Sequence, residues 1–248
     1  MALSAPPSSA TGGRLHVNLL GGFRVLAGGR ELGLPVHARR VLAYLCVHSL
    51  GGSHERMPLA ELLWPAVSTA RAQASLRTAL WRIRQGDRRL LRVVHDSIWL
   101  GPDVEVDLHG TIDRARRLLA PGHDTPADGD DVEALRGELL PGWEEEWLLL
   151  ERQRIHQLQI HALDTLSRRF CAQGRHAEAI DTALAAIALE PLREASHGAL
   201  IAAYVADGNV AGALRQLADF SSLLDRELSV APSRGFLAEF HRLVGSEA

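Results

Sequence analysis

Four residues of the back half of the chain recur at one fixed offset. Phe170, Gly174, Ala177 and Ala179 return as Tyr204, Gly208, Ala211 and Ala213, each 34 positions later, with Ile180 and Leu214 following suit. A period of that length belongs to helix pairs stacked on one another, because a single pair cannot bury its own apolar face and neighbours must cover it. The aromatic and the small alanine occupy the places where helix packs on helix, the glycine supplies the turn, and Pro191 ends the first copy. The C-terminal half is therefore read as an all-α array, and the front half needs a separate account.

The front half opens with period-two alternation. Leu15, Val17 and Leu19 alternate with His16 and Asn18, Gly21-Gly22 turns the chain, Phe23 and Val25 alternate again, and Gly28-Gly29 turns it before Glu31 to Leu34. This predicts a small antiparallel meander. The period then becomes helical: Val41, Leu42, Leu45 and Cys46 share a face within Ala38 to His48, and Gly51-Gly52 ends that element. Pro58 suits the first position of a short second helix that carries Leu59, Leu62 and Leu63 and closes near Trp64-Pro65. A third helix, Thr69 to Gln85, starts after the capping candidate Ser68. Leu90 to Val94 and Ile98 to Leu100, joined through His95-Asp96-Ser97, read as a hairpin. Strands, three helices and a terminal hairpin predict a winged helix-turn-helix.

The fold class expected is thus an α+β N-terminal winged helix-turn-helix followed by an all-α, tetratricopeptide-like domain. The expected boundaries are a disordered tail over 1–13, the winged helix over 14–104, a connecting segment over 105–131 and the helical domain over 132–248. Within the connecting segment Ile112, Ala115, Leu118 and Leu119 form an amphipathic piece, and Pro121-Gly122 with the polar run His123 to Asp131 marks a linker.

Charge divides the chain in the same way. Residues 1–104 hold 13 arginines against 6 acids, and residues 105–248 hold 14 against 24. A basic front joined to an acidic back points to a polyanion as partner of the front half. All 27 basic residues are arginine, which removes phosphate-loop lysines and Schiff-base chemistry. The two cysteines, Cys46 and Cys171, lie in apolar helical stretches and do not form a disulfide framework. Their setting fits a reducing interior, so a cytoplasmic protein is expected, and no apolar run reaches the roughly 18 residues needed to cross a bilayer, so no membrane span is expected. His156 and His161 stand five apart, the wrong geometry for joint ligation on a helix, and Glu144, Glu145 and Glu146 read as a solvated helix start. Catalytic residues, metal ligands and cofactors are all expected to be absent.

Most of the functional information sits in the third helix. At about 100° per residue, Ala72, Leu76, Ala79, Leu80 and Ile83 share one face, while Arg71, Ala74, Arg77, Thr78, Trp81 and Arg82 lie roughly opposite, with Arg84 on the flank. Such a helix can be pinned by its apolar stripe while the basic side enters the major groove of duplex DNA. Arg77, Thr78 and Arg82 are the candidates for reading bases, and Arg71, Arg84 and Arg92 for phosphate contacts. Arginine suits both tasks, because its planar fork bonds guanine O6 and N7 together or grips a phosphate. Thr78 has two candidate partners, a thymine methyl or a phosphate. Trp81 points away from the stripe, either to DNA or to another element. Arg88 and Arg89 join Arg92 as hairpin arginines within reach of the backbone.

These residues carry a resemblance. Leu15 to His109 resembles the OmpR-type winged helix of the Streptomyces antibiotic regulatory protein family, through Leu59 to Pro65 (LAELLWP), Ser75 to Arg84 (SLRTALWRIR) and Asp103 to His109 (DVEVDLH). Ala134 to Val244 resembles the bacterial transcriptional activator domain, through Glu138 to Ile155, Gly174 to Ile180 and Leu224 to Pro232. The resemblance implies a transcription activator that binds promoter DNA, its third helix in the major groove and its wing on the minor groove. It also implies a helical domain that supports dimer formation and contacts RNA polymerase holoenzyme. Before the first helix the family's usual Gly-Pro-Lys type turn is replaced by Leu34-Pro35-Val36-His37, with Arg39 and Arg40 as substitutes for the phosphate contact made there. Two protomers are expected head to tail on direct repeats. A competing reading makes the helical array a peptide-binding adaptor and the front domain a docking module; steep salt dependence of duplex binding separates the two.

Overall fold

The computed structural model describes residues 13–48, 52–120 and 128–245. The expected tail, apart from Gly13, and the stretch from Pro121 to residue 127 of the expected linker lie outside the described residues. Two compact units emerge: one runs to His109 and takes in Leu139–Trp143, the other comprises Gly110–Glu138 and Glu144 onward.

The front unit starts with a four-stranded sheet, ordered β3-β2-β1-β7. Its strands are β1 (Leu15–Asn18), β2 (Arg24–Ala27), β3 (Arg30–Glu31) and β7 (Val104–Val106). The expected meander is there, with its third strand at Arg30–Glu31 instead of Glu31 to Leu34. Strand β7 pairs in parallel with β1, Leu15 opposite Val104 and Val17 opposite Val106. Asp107 secures this junction: its carboxylate accepts the amides of Leu19 at 2.9 Å and Leu20 at 3.0 Å. Burial pushes the Asp107 carboxyl up from its ordinary range, against the opposite pull of the Leu19, Leu20 and Leu108 amides. Leu139–Trp143 joins this unit through the Leu140 amide on the Leu19 carbonyl, at 2.8 Å, and through Trp143 against Phe23.

Three helices follow the period read from the sequence: α1 (Val36–His48), α2 (Arg56–Leu63) and α3 (Thr69–Gly86). The second begins two residues before Pro58, which therefore occupies the third helical position. A proline is tolerated there because the first four amides of a helix have no intrahelical acceptor. A second sheet, β4-β6-β5, is built from β4 (His54–Glu55), β5 (Leu91–Val94) and β6 (Ser97–Leu100). Val94 faces Ser97, so the connection is the two-residue turn His95-Asp96, with His95 at φ 52°.

Residues 107–119, within the stretch read as connecting, form helix α4 (Asp107–Leu119). In the second unit its Ala115 and Leu118 join Val132, Leu163, Leu166 and Phe170 in one buried cluster. Helix α5 (Gly129–Ala134) is followed by α6 (Glu146–Ala172), α7 (His176–Leu189), α8 (Glu194–Ala206), α9 (Val210–Leu228) and α10 (Arg234–Gly245). The repeat is reproduced bond for bond at its turns. The Arg175 amide donates to the Phe170 carbonyl at 2.9 Å and the Asn209 amide to that of Tyr204 at 2.8 Å, while Gly174 and Gly208 sit at φ 73° and 71°. That left-handed conformation favours glycine. Two polar knots lie in this core. Asp164, 1% exposed, accepts from Arg193 Nε and Ser196 Oγ. His197 stacks on Phe220, donates from Nε2 to the Pro191 carbonyl and accepts at Nδ1 from Gln216. That pattern needs the neutral ring, and burial holds the His197 imidazole below its ordinary range against the pull of the Pro191 carbonyl.

Two outcomes follow for stability. Asp107→Ala strips the part-buried amides of Leu19, Leu20 and Leu108 of their acceptor and lowers the unfolding free energy by about 1–3 kcal/mol in urea titrations. Because the folded pKa of His197 lies below the unfolded value near 6.5, its stabilising contribution is complete above that pH and is lost as pH falls through the folded pKa. The thermal midpoint of wild type is expected to fall more between pH 7.5 and 5.5 than that of His197→Phe.

Candidate nucleic-acid interface

The site is built on α3, whose orientation follows from what it buries. Ala72, Leu76, Ala79, Leu80 and Ile83 are all buried, as the periodicity requires. Ser68 stands at the N-cap with extended backbone, yet its side chain makes no capping bond. The helix start is tied instead to α2, through Thr69 Oγ1 donating to Glu61 Oε1 at 3.2 Å. At the far end the Asp87 amide makes the last helical bond, to the Ile83 carbonyl at 3.0 Å, and the extended backbone of Asp87 ends the helix.

With that stripe covered, Arg71, Ala74, Arg77, Thr78, Trp81, Arg82 and Arg84 are all exposed. Among the described residues none of these arginines forms an ion pair, so their charge is not neutralised within the fold. Arg82 lies over the Trp81 ring, 4.7 Å from its centroid, and Trp81 itself is 51% exposed. The indole thus holds a neighbouring guanidinium at the surface, with about half of its own area open to solvent. Thr78 Oγ1 donates to the Ala74 carbonyl at 3.0 Å. Its only hydroxyl proton is thereby used, which leaves a methyl and acceptor lone pairs to face outward; donation to a phosphate is unfavourable in this conformation.

The hairpin arginines separate into two kinds. Arg89 is tied into the fold: Nε and Nη2 donate to Asp87 at 3.1 and 2.8 Å, and Nη1 donates to the Gly13 carbonyl at 2.9 Å. Its guanidinium holds the Asp87 carboxyl below the ordinary carboxylate range. Arg89 is therefore structural and is withdrawn from the backbone-contacting set. Arg92 remains exposed, directly opposite Trp99 and 5.5 Å from its ring centroid. Arg88 is also exposed. Arg39 and Arg40, the suggested substitutes before the first helix, lie over the rings of Phe23 and Trp64 at 5.9 and 6.0 Å. Trp64 donates its indole N–H to His37 Nδ1 at 3.0 Å, which accounts for the tryptophan in LAELLWP as a packing residue. Asp107 and His109, which bonds the Cys46 carbonyl at 2.7 Å, do the same for DVEVDLH.

Sequence reasoning missed one residue. Arg56 opens α2 and lines the hollows on both sides of Arg77. Placing the helix start at Pro58 left Arg56 in a loop, and no local pattern announces its position beside α3. The anchoring predicts a contrast between neighbours. Ile83→Ala should cost about 2–5 kcal/mol of stability and Arg82→Ala less than about 0.5 kcal/mol, both by urea unfolding.

Residues 111–243 match the family described as Bacterial transcriptional activator domain. Among solved structures the chain is similar to Mycobacterium tuberculosis EmbR in complex with low affinity phosphopeptide, with a TM-score of 0.69 and 20% identity. That similarity covers 94% of this chain and 65% of the EmbR chain, so the present chain spans about two-thirds of the other's length, and the likeness is one of fold. No curated protein sequence matches.

Proposed function

The chain belongs to the bacterial transcriptional activator domain family, and from that premise we propose that it is a transcriptional regulator of the Streptomyces antibiotic regulatory protein type that binds promoter DNA through its front unit. The observation that carries the proposal is the exposed, unneutralised arginine face of α3 behind a fully buried apolar stripe. A protruding helix fits the major groove, which is about 12 Å wide, and the guanidinium forks of Arg77 and Arg82 match guanine O6 and N7 there. Arg71, Arg84 and Arg92 take phosphates, Arg92 from the hairpin acting as the wing. Ala74 is small enough for close approach. Thr78, its hydroxyl proton committed to Ala74, offers its methyl to a thymine methyl. The helical unit supplies self-association and the contact with RNA polymerase holoenzyme, and two protomers bind head to tail on a direct repeat. The protein acts in the cytoplasm and as a regulator instead of an enzyme; among the described residues no helix is long and apolar enough to cross a membrane.

Electrophoretic titration with a selected duplex tests the base-reading assignment. Arg82→Ala should lose about 1–3 kcal/mol of binding and relax selectivity at one base position; binding of target and random duplex unchanged from wild type would remove α3 from the interface. Thr78 gives a finer check. Thr78→Val keeps a methyl and should keep affinity, whereas Thr78→Ser should weaken binding and become indifferent to replacing thymine by deoxyuridine.

A further inference from the structure

A hollow of about 440 Å³ lies beside the second half of α3. Its wall includes Arg56, Arg77, Trp81, Arg84, Arg88 and Val93, and no carboxylate contributes to it. A second hollow of about 360 Å³ shares Arg56 and Arg77 with the first and is bordered on its own part by Asp96. Four guanidinium groups therefore border one concave surface. Among the described residues none of the four forms an ion pair, and the nearby acid Asp87 is already held by Arg89.

Arg56 adds an independent sign. Its Nε lies out of contact with water and finds no acceptor within the fold. A buried donor of this kind is rare in native proteins unless something outside the fold satisfies it. The residue's position is fixed, since it is the first of α2 and its amide donates to the Asp96 carbonyl in the hairpin turn at 3.0 Å. Crowded like charges, the lack of a carboxylate in the lining of the first hollow and an unsatisfied buried donor all call for an anion there. Several forks converging on one space suit the multiple acceptor oxygens of a phosphate better than the two of a carboxylate.

We propose that this hollow is a phosphate-binding site, with Arg56, Arg84 and Arg88 as its donors and the Trp81 indole as its wall. Two sources present that chemistry: a backbone phosphodiester of bound DNA, clamped between α3 and the hairpin, or a free polyphosphate. The first source rests on the promoter-binding reading; the second does not. In either case the site explains why Trp81 is exposed, since the ring shapes the hollow.

The test uses the full chain with two arms. In the first, duplex affinity is measured against salt for wild type, Arg56→Gln and Arg88→Ala. Each variant should bind target and unrelated duplex about tenfold more weakly, and its log-log salt slope should be shallower by about 0.9, the loss of one phosphate contact. In the second arm, calorimetry with sodium tripolyphosphate and no DNA should give binding to wild type that both variants lose. An effect in the first arm alone assigns the DNA backbone; an effect in the second assigns a free polyphosphate. Arg88 is exposed, so Arg88→Ala stays informative if Arg56→Gln fails to fold, and thermal melting verifies both. Wild-type behaviour of folded variants in both arms overturns the site, even where Arg82→Ala impairs DNA binding. Tripolyphosphate binding by a wild type that takes no duplex would leave the site standing and remove the promoter-binding reading.

Discussion

Burial of one stripe on α3 governs the front unit. Leu76 and Ile83 are 2% and 0% exposed, and α1 and α2 both pack against this helix. Covering that stripe removes apolar surface from water at about 25 cal/mol per Å². It also fixes rotation about the helix axis: a helix committed on one side has no freedom to hide the other. The outward direction of Arg71, Arg77 and Arg82 thus follows from hydrophobic packing and not from any attraction the arginines themselves exert.

The same residue type serves opposite purposes in the two halves. In the helical unit many arginines are paired internally: Arg193 with buried Asp164, Arg114 with Asp131 at 3.0 Å, Arg136 with Asp181 at 2.8 Å, and Arg175 and Arg242 with Glu178 and Glu239. Helix α3 itself contains no acid, and Asp87, three residues beyond Arg84, is taken by Arg89. Unneutralised positive charge on a protruding surface draws polyanions and raises association rates. This distribution gives the excess of arginine over acid in residues 1–104 a structural location, which composition alone does not supply.

Local periodicity made much of the molecule readable. The third helix emerged within one residue of its end because Ala72, Leu76, Ala79, Leu80 and Ile83 repeat at helical spacing, and the 34-residue offset returned as matching turns at Gly174 and Gly208. Pairings between distant short segments left no such trace. Strand β7 has three residues, β4 has two, and each gains its identity from a partner far along the chain. Leu139–Trp143 joins the front unit by a backbone bond to Leu19, which no pattern near residue 139 encodes. The same limit applied to the site. The exposed arginines of α3 were legible from helix geometry, but the capture of Arg89 by Asp87 and Gly13 and the place of Arg56 depend on tertiary neighbours.

Selection from a random duplex pool with the purified full chain probes the central claim most directly. The account predicts enrichment of a direct repeat whose half-sites lie about one helical turn apart, 10–10.5 base pairs, each with guanines placed for the arginine forks of α3. Recovery of an unenriched pool, with the helical unit intact by circular dichroism, would contradict it.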